Sequence, residues 1–174
     1  MTLSAKQKAV LVGMLTGLVI TLLIVVPAAF LDTINVPADQ ELKSRLQVFC
    51  VSLVAPVCVL ALSIARLAKH RFFDPIDIDG VERESKQAKI LQALLQNTLE
   101  QTVLAVLVYI IYCIFVPINT LGAVLACSLL FLIGRVLFMI GYVNGAASRS
   151  IGFALTFYPS VLLLLLTAIL SVII

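Results

Sequence analysis

LGAVLACSLLFLIGRVLFMIGYV, residues 121–143, is an almost unbroken apolar run with a single charge, Arg135, inside it. A helix crossing a hydrocarbon core about 30 Å thick needs roughly 20 consecutive apolar residues. This run has that length. Lipid offers the backbone no hydrogen-bond partner, so such a run must be helical. Working outward, four more runs have the same character: residues 9–31, 46–68, 90–116 and 151–174. The composition agrees. The 174 residues are 62% hydrophobic and 12% charged, whereas a soluble domain has roughly 45–50% apolar and about 25% charged residues. Mean hydropathy is +1.17. The expected class is an all-α membrane protein of five spans.

The first run follows Lys6 and Lys8, as in a signal peptide. It is longer than a signal core and has a poor cleavage site at Pro27-Ala28-Ala29, so it reads as a retained span. The first connection, residues 32–45, is polar, and a helix start is expected near Pro37-Ala38-Asp39. The second, residues 69–89, is long and rich in both charges. The third is a turn around Pro117-Ile118-Asn119-Thr120, and the fourth is the short segment 144–150. Lys6, Lys8, Lys69, Arg71, Arg83, Lys86, Lys89 and Arg149 fall on one side if the spans alternate. Lys43 and Arg45, offset by Asp32, Asp39 and Glu41, fall on the other. The positive-inside rule then puts the N-terminus in the cytoplasm and the C-terminus on the opposite side.

The net charge of +3 is spread beside apolar runs and gives no nucleic-acid footprint. Cys50, Cys58, Cys113 and Cys127 lie in apolar runs and read as small core residues without a disulfide framework. His70, flanked by Lys69 and Arg71, lacks a metal-ligand pattern. Asp74–Gly80 looks like part of a calcium loop, but Pro75 and Lys86 stand where oxygen ligands belong, so a solvated acidic turn is expected.

Ionisable residues inside a membrane are costly and mark function by default. Two stand out, Glu100 and Arg135. Helix rise places them about 15 Å and about 12 Å from the same membrane face, and they are expected to pair, within one subunit or across a subunit contact. Asn97 shares the face of Glu100. Arg135, Phe138, Tyr142 and Arg149 recur at helical spacing. Together they outline a polar cleft with apolar walls, suited to a charged or zwitterionic head with an apolar partner. The plainer reading is a Glu–Arg pair that fixes helix register, with Arg149 as an interfacial anchor. Gly141 and Gly145 form a G-x-x-x-G step, a sign of close helix packing.

Two motifs extend this reading. Gln96-Asn97-Thr98-Leu99-Glu100-Gln101 resembles the N-x-x-E of the MAPEG family, the membrane-associated proteins of eicosanoid and glutathione metabolism. Gly134-Arg135-Val136-Leu137-Phe138-Met139-Ile140-Gly141-Tyr142, followed by Arg149-Ser150-Ile151-Gly152-Phe153, resembles that family's arginine–aromatic–tyrosine stretch and the arginine beyond it. The resemblance implies a four-helix domain over residues 46–174, preceded by an additional helix and loop in residues 1–45. It also implies a homotrimer with glutathione bound between subunits, acting as a transferase or peroxidase on lipophilic small molecules from the membrane lipid. In such a site Asn97 and Glu100 hold polar groups of the tripeptide. Arg135 neutralises Glu100 or meets a glutathione carboxylate, Tyr142 donates a hydrogen bond, and Arg149 sits by the sulfur as the catalytic residue. No metal is implied. The sequence departs from the family pattern at Ala93, where an arginine is common, at Gln101, where an aromatic is common, and at Phe138, which lacks a hydroxyl. The missing arginine at Ala93 favours a second reading, a non-catalytic lipid- or partner-binding protein of the same fold, whereas Arg149 at the family spacing favours the enzyme. A third, a small transporter, is disfavoured by the apolar far halves of spans three and four.

Overall fold

The computed structural model describes residues 3–30, 41–79 and 85–173. It contains five helices long and apolar enough to cross a membrane: α1 (Ala5–Phe30), α2 (Glu41–Phe73), α3 (Lys86–Phe115), α4 (Gly122–Gly141) and α5 (Ala146–Ile173). A single 3-10 turn, Ile118–Thr120, joins α3 to α4. No strand occurs among the described residues, and the all-α membrane class holds.

α1, α2, α3 and α5 run past the apolar cores that mark them, because local chemistry sets their ends. α1 starts at a capping box: the Ser4 amide donates to Gln7 Oε1 at 2.8 Å and the Gln7 amide to Ser4 Oγ at 3.3 Å. α2 takes in Arg66 to Phe73 at one end and Glu41 to Arg45 at the other. Much of the expected second connection is therefore helix. Arg45 Nη1 donates to the carbonyls of Cys113 and Val116, each at 2.7 Å, which satisfies orphan acceptors at the end of α3. The expected helix start at Pro37-Ala38-Asp39 lies outside the described residues, as do Gly80 and Arg83.

The turn after α2 is not the solvated acidic loop expected. Asp77 is 1% exposed. Its carboxylate accepts from the Ser85 amide (2.7 Å) and hydroxyl (2.6 Å) and lies 2.8 Å from His70 Nε2. Ser85 in turn caps α3 by accepting from the Ala88 amide at 3.0 Å. The Ser85 hydrogen bonds, and then His70, hold the Asp77 carboxyl below the ordinary aspartate range. His70, Asp74 and Asp77 bring their ligand atoms within 4.8 Å of one another. Both oxygens of Asp77 accept hydrogen bonds from the chain itself, and the cluster ties the end of α2 to the start of α3 as a clasp.

Between membrane helices, association rests on close van der Waals fit rather than on water expulsion. The tightest approaches occur at glycines. A Cβ on Gly134 or Gly152 would collide with backbone across the α4–α5 crossing, and one on Gly17 would collide with Ala154 of α5. α1 buries Gly17, Thr21, Val25 and Ala29, a stripe of every fourth residue, and packs on α5 and α4. The added helix thus packs on α5 and α4 of this chain. The expected G-x-x-x-G step is not a helix face: Gly141 abuts Ser148, but Gly145 lies in the α4–α5 turn at φ +97° with open space around it. The buried core centres on Tyr109, Tyr112, Leu121, Val124, Phe131 and Leu163. Cys113 and Cys127 are buried as expected, whereas Cys50 and Cys58 are exposed on α2; all four are free.

Candidate functional site

Alternation of the helices brings the start of α1, the start of α3, the end of α4 and the start of α5 to one end of the bundle. A cleft of about 520 Å³ opens there. α3 contributes Ala93, Gln96, Asn97 and Glu100, a spacing that puts all four on one helical face. α5 contributes Ala146, Arg149, Ser150 and Phe153 at the same spacing. α4 adds Phe138 and, at its C-cap, Tyr142, and α1 adds Val10 and Met14. Of the five predicted site residues, Asn97, Glu100, Tyr142 and Arg149 therefore line one cavity.

Arg135 stands behind that lining. It is 0% exposed. Nη1 donates to Asn97 Oδ1 at 2.8 Å and Nη2 to Thr156 Oγ1 at 3.1 Å, while Nε has no partner. The Phe138 ring covers the guanidinium at 4.4 Å. The expected Glu100–Arg135 pair does not form within the protomer. Glu100 is exposed to the cleft and accepts from Gln96 Nε2 at 2.9 Å. Equal depth was not enough, because Arg135 points between α3 and α5 and meets Asn97 one turn short of Glu100. By accepting from Arg135, Asn97 keeps its amide N–H groups to offer a ligand. Arg135 thus carries a buried charge that has neutral partners and makes no ion pair among the described residues, a costly arrangement.

A ladder of rings and cations links this charge to the cleft. Phe138 meets Tyr142 edge-on at 5.6 Å. Arg149 lies 4.4 Å over the Tyr142 ring and 6.0 Å from Phe138. Such contacts hold a guanidinium without neutralising it. Arg149 belongs to the first turn of α5 and not to a connection, and it makes no ion pair among the described residues. Sequence reading missed Thr156, whose hydroxyl accepts from Arg135 while donating to the Phe153 carbonyl at 2.9 Å. The only signal was a hydroxyl in an apolar run that also holds Tyr158, Ser160, Thr167 and Ser171. It also missed α1 as a wall of the site.

These features define a five-span membrane protein with a polar, cation-bearing cleft between four of its helices. A model of the MAPEG family matches residues 46–169, and the chain belongs to that family. α1 lies wholly outside the matched segment. A search of curated proteins and a search of solved structures each found no match.

Proposed function

We propose that the cleft binds glutathione and that the protein is a glutathione-dependent transferase or peroxidase for lipophilic substrates, working as a homotrimer with this end of the bundle in the cytoplasm. The convergence of Asn97, Glu100, Tyr142 and Arg149 on one cavity, in a chain of the MAPEG family, carries this reading. The donor set fits the tripeptide in kind. Glu100 offers an acceptor for its ammonium, Asn97 offers amide donors, and Tyr142 offers a phenol. Arg149 offers the sulfur a cation that makes no ion pair among the described residues. A free thiol has a pKa of about 8.5, and an adjacent guanidinium favours the thiolate. In the transferase reaction the thiolate attacks an electrophilic carbon and forms the sulfur–carbon bond. The displaced electron pair leaves with its leaving group or takes up a proton.

Arg135 acts as a positioning residue in this account, holding the Asn97 amide toward the ligand. A non-catalytic lipid-binding reading is favoured by one observation: Ala93, where many relatives carry arginine, lies in the cleft wall and leaves that side apolar. The pH profile of conjugation to a chlorodinitrobenzene separates the two. Wild-type protein should turn over, and Arg149→Ala should lower the rate by about 10²-fold or more and move its rise toward alkaline pH. No wild-type turnover by folded protein that nonetheless binds lipid would establish the second reading. An unshifted profile in Arg149→Ala would remove the thiolate role.

A further inference from the structure

Two side-chain amides of the cleft have their orientation fixed by charge. An amide carries a donor end and an acceptor end, and its neighbours decide which end is left for a ligand. The Glu100 carboxylate only accepts, so it takes the N–H end of Gln96: Gln96 Nε2 donates to Glu100 Oε1 at 2.9 Å. The polar atom that Gln96 has left for a ligand is its carbonyl oxygen. The Arg135 guanidinium only donates, so it takes the oxygen end of Asn97 at 2.8 Å. Asn97 is left with its N–H groups. Successive residues of the cleft wall thus offer an acceptor at Gln96 and donors at Asn97. Ala93, Val10, Met14 and Ala146, which also line the cleft, offer no polar side chain.

The charges of the cleft are few. Glu100 and Arg149 are the charged residues of its lining, and Arg135 stands behind Asn97. The thiolate form of glutathione carries one ammonium, two carboxylates and the sulfur. Its ammonium and α-carboxylate share one carbon, so they fit Glu100 and Asn97, which are neighbours one turn apart, with Arg135 backing the carboxylate. The sulfur takes Arg149. The glycyl carboxylate is then left with the Gln96 oxygen and apolar side chains, and an anion held without a counter-charge is costly. We propose that the cleft selects a thiol tripeptide whose glycyl end is masked as an amide, and that Gln96 is the residue that selects it. A carboxamide there removes the uncompensated charge, and its N–H donates to Gln96 Oε1. The charges of cleft and ligand then balance. The inference rests on the glutathione reading of the cleft and narrows it to one chemical form of the tripeptide.

The test is calorimetric titration of the detergent-solubilised full chain with three probes: glutathione, its glycyl carboxamide and its glycyl ethyl ester. The carboxamide should bind about tenfold or more tighter than the free acid. The ester, which loses the charge but has no N–H to donate, should fall between them. Gln96→Met keeps the bulk of the side chain and removes the acceptor, so it should lower carboxamide affinity roughly fivefold, to the level of the ester. Ala93→Arg supplies a cation to the same wall and should turn the preference toward the free acid. Free acid bound as tightly as the carboxamide by wild-type protein would overturn the inference and leave the glutathione reading standing. That ranking needs no variant, so it decides the matter even where a substitution misfolds. Carboxamide and ester bound alike in wild type and Gln96→Met would overturn the role of Gln96, and an unchanged ranking in folded Ala93→Arg would overturn the charge argument. Binding of none of the three probes would refute the glutathione reading itself, and this inference with it.

Discussion

At the residue scale, the decisive feature is a buried charge with no counter-charge among the described residues. Arg135 is held by an amide, a hydroxyl and a ring face. Sequence reading selected it because a charge inside an apolar run is costly, and that logic stood. Its partner was not legible, because helix rise gives depth but not the angle at which neighbouring helices face each other. Asn97 and Glu100 were legible as neighbours because both sit one turn apart on α3, whereas the helical spacing that put Arg149 on the face of Tyr142 did not hold, since Arg149 belongs to α5 and reaches the cleft from there. Gln101 offers a clean test of burial. It is 6% exposed, and its Oε1 has no partner. An unmet buried polar group costs about 1–3 kcal/mol, so Gln101→Leu should raise the melting temperature in detergent. A lower melting temperature would show that the amide has a partner in the assembled protein.

At the element scale, the spans were read from length and hydropathy, and their apolar cores match α1 to α5. Their ends were not, because caps such as Ser4–Gln7 and Ser85 and the clamp of Arg45 on α3 are contacts of single polar groups. The place of α1 was also hidden. Its stripe of Gly13, Gly17 and Thr21 is a small-residue pattern, but nothing in it names α5 as the partner. Gly17→Leu should destabilise the protein by about 1–3 kcal/mol, the cost of overpacking, read as a lower melting temperature with loss of the cleft's ligand affinity. A neutral result would mean that α1 does not seat there.

The α2–α3 clasp makes a pH prediction at the same scale. The folded carboxyl of Asp77 titrates below its ordinary value. Its contribution is therefore present at neutral pH and is lost as pH falls below about 4 toward the folded value. Thermal stability should fall across that acid window in the wild type. It should fall less steeply in Asp77→Asn, where the group no longer titrates. Equal acid loss in both would place the sensitivity elsewhere.

At the scale of the whole molecule, one end of the bundle gathers most of the described basic residues and the cleft, and the outer faces of α1 and α2 present exposed leucines and valines to lipid. The family domain supplies the polar wall of the cleft, and the added helix supplies part of the apolar one. The account depends on the cleft being a glutathione site. The most direct measurement is calorimetric titration of the folded, detergent-solubilised protein with glutathione, alongside Glu100→Gln and Arg149→Ala. Saturable binding by wild-type protein, weakened about tenfold or more in Glu100→Gln as a charge-assisted contact is lost, is the predicted result. No binding at millimolar glutathione, or binding indifferent to both substitutions, would contradict it.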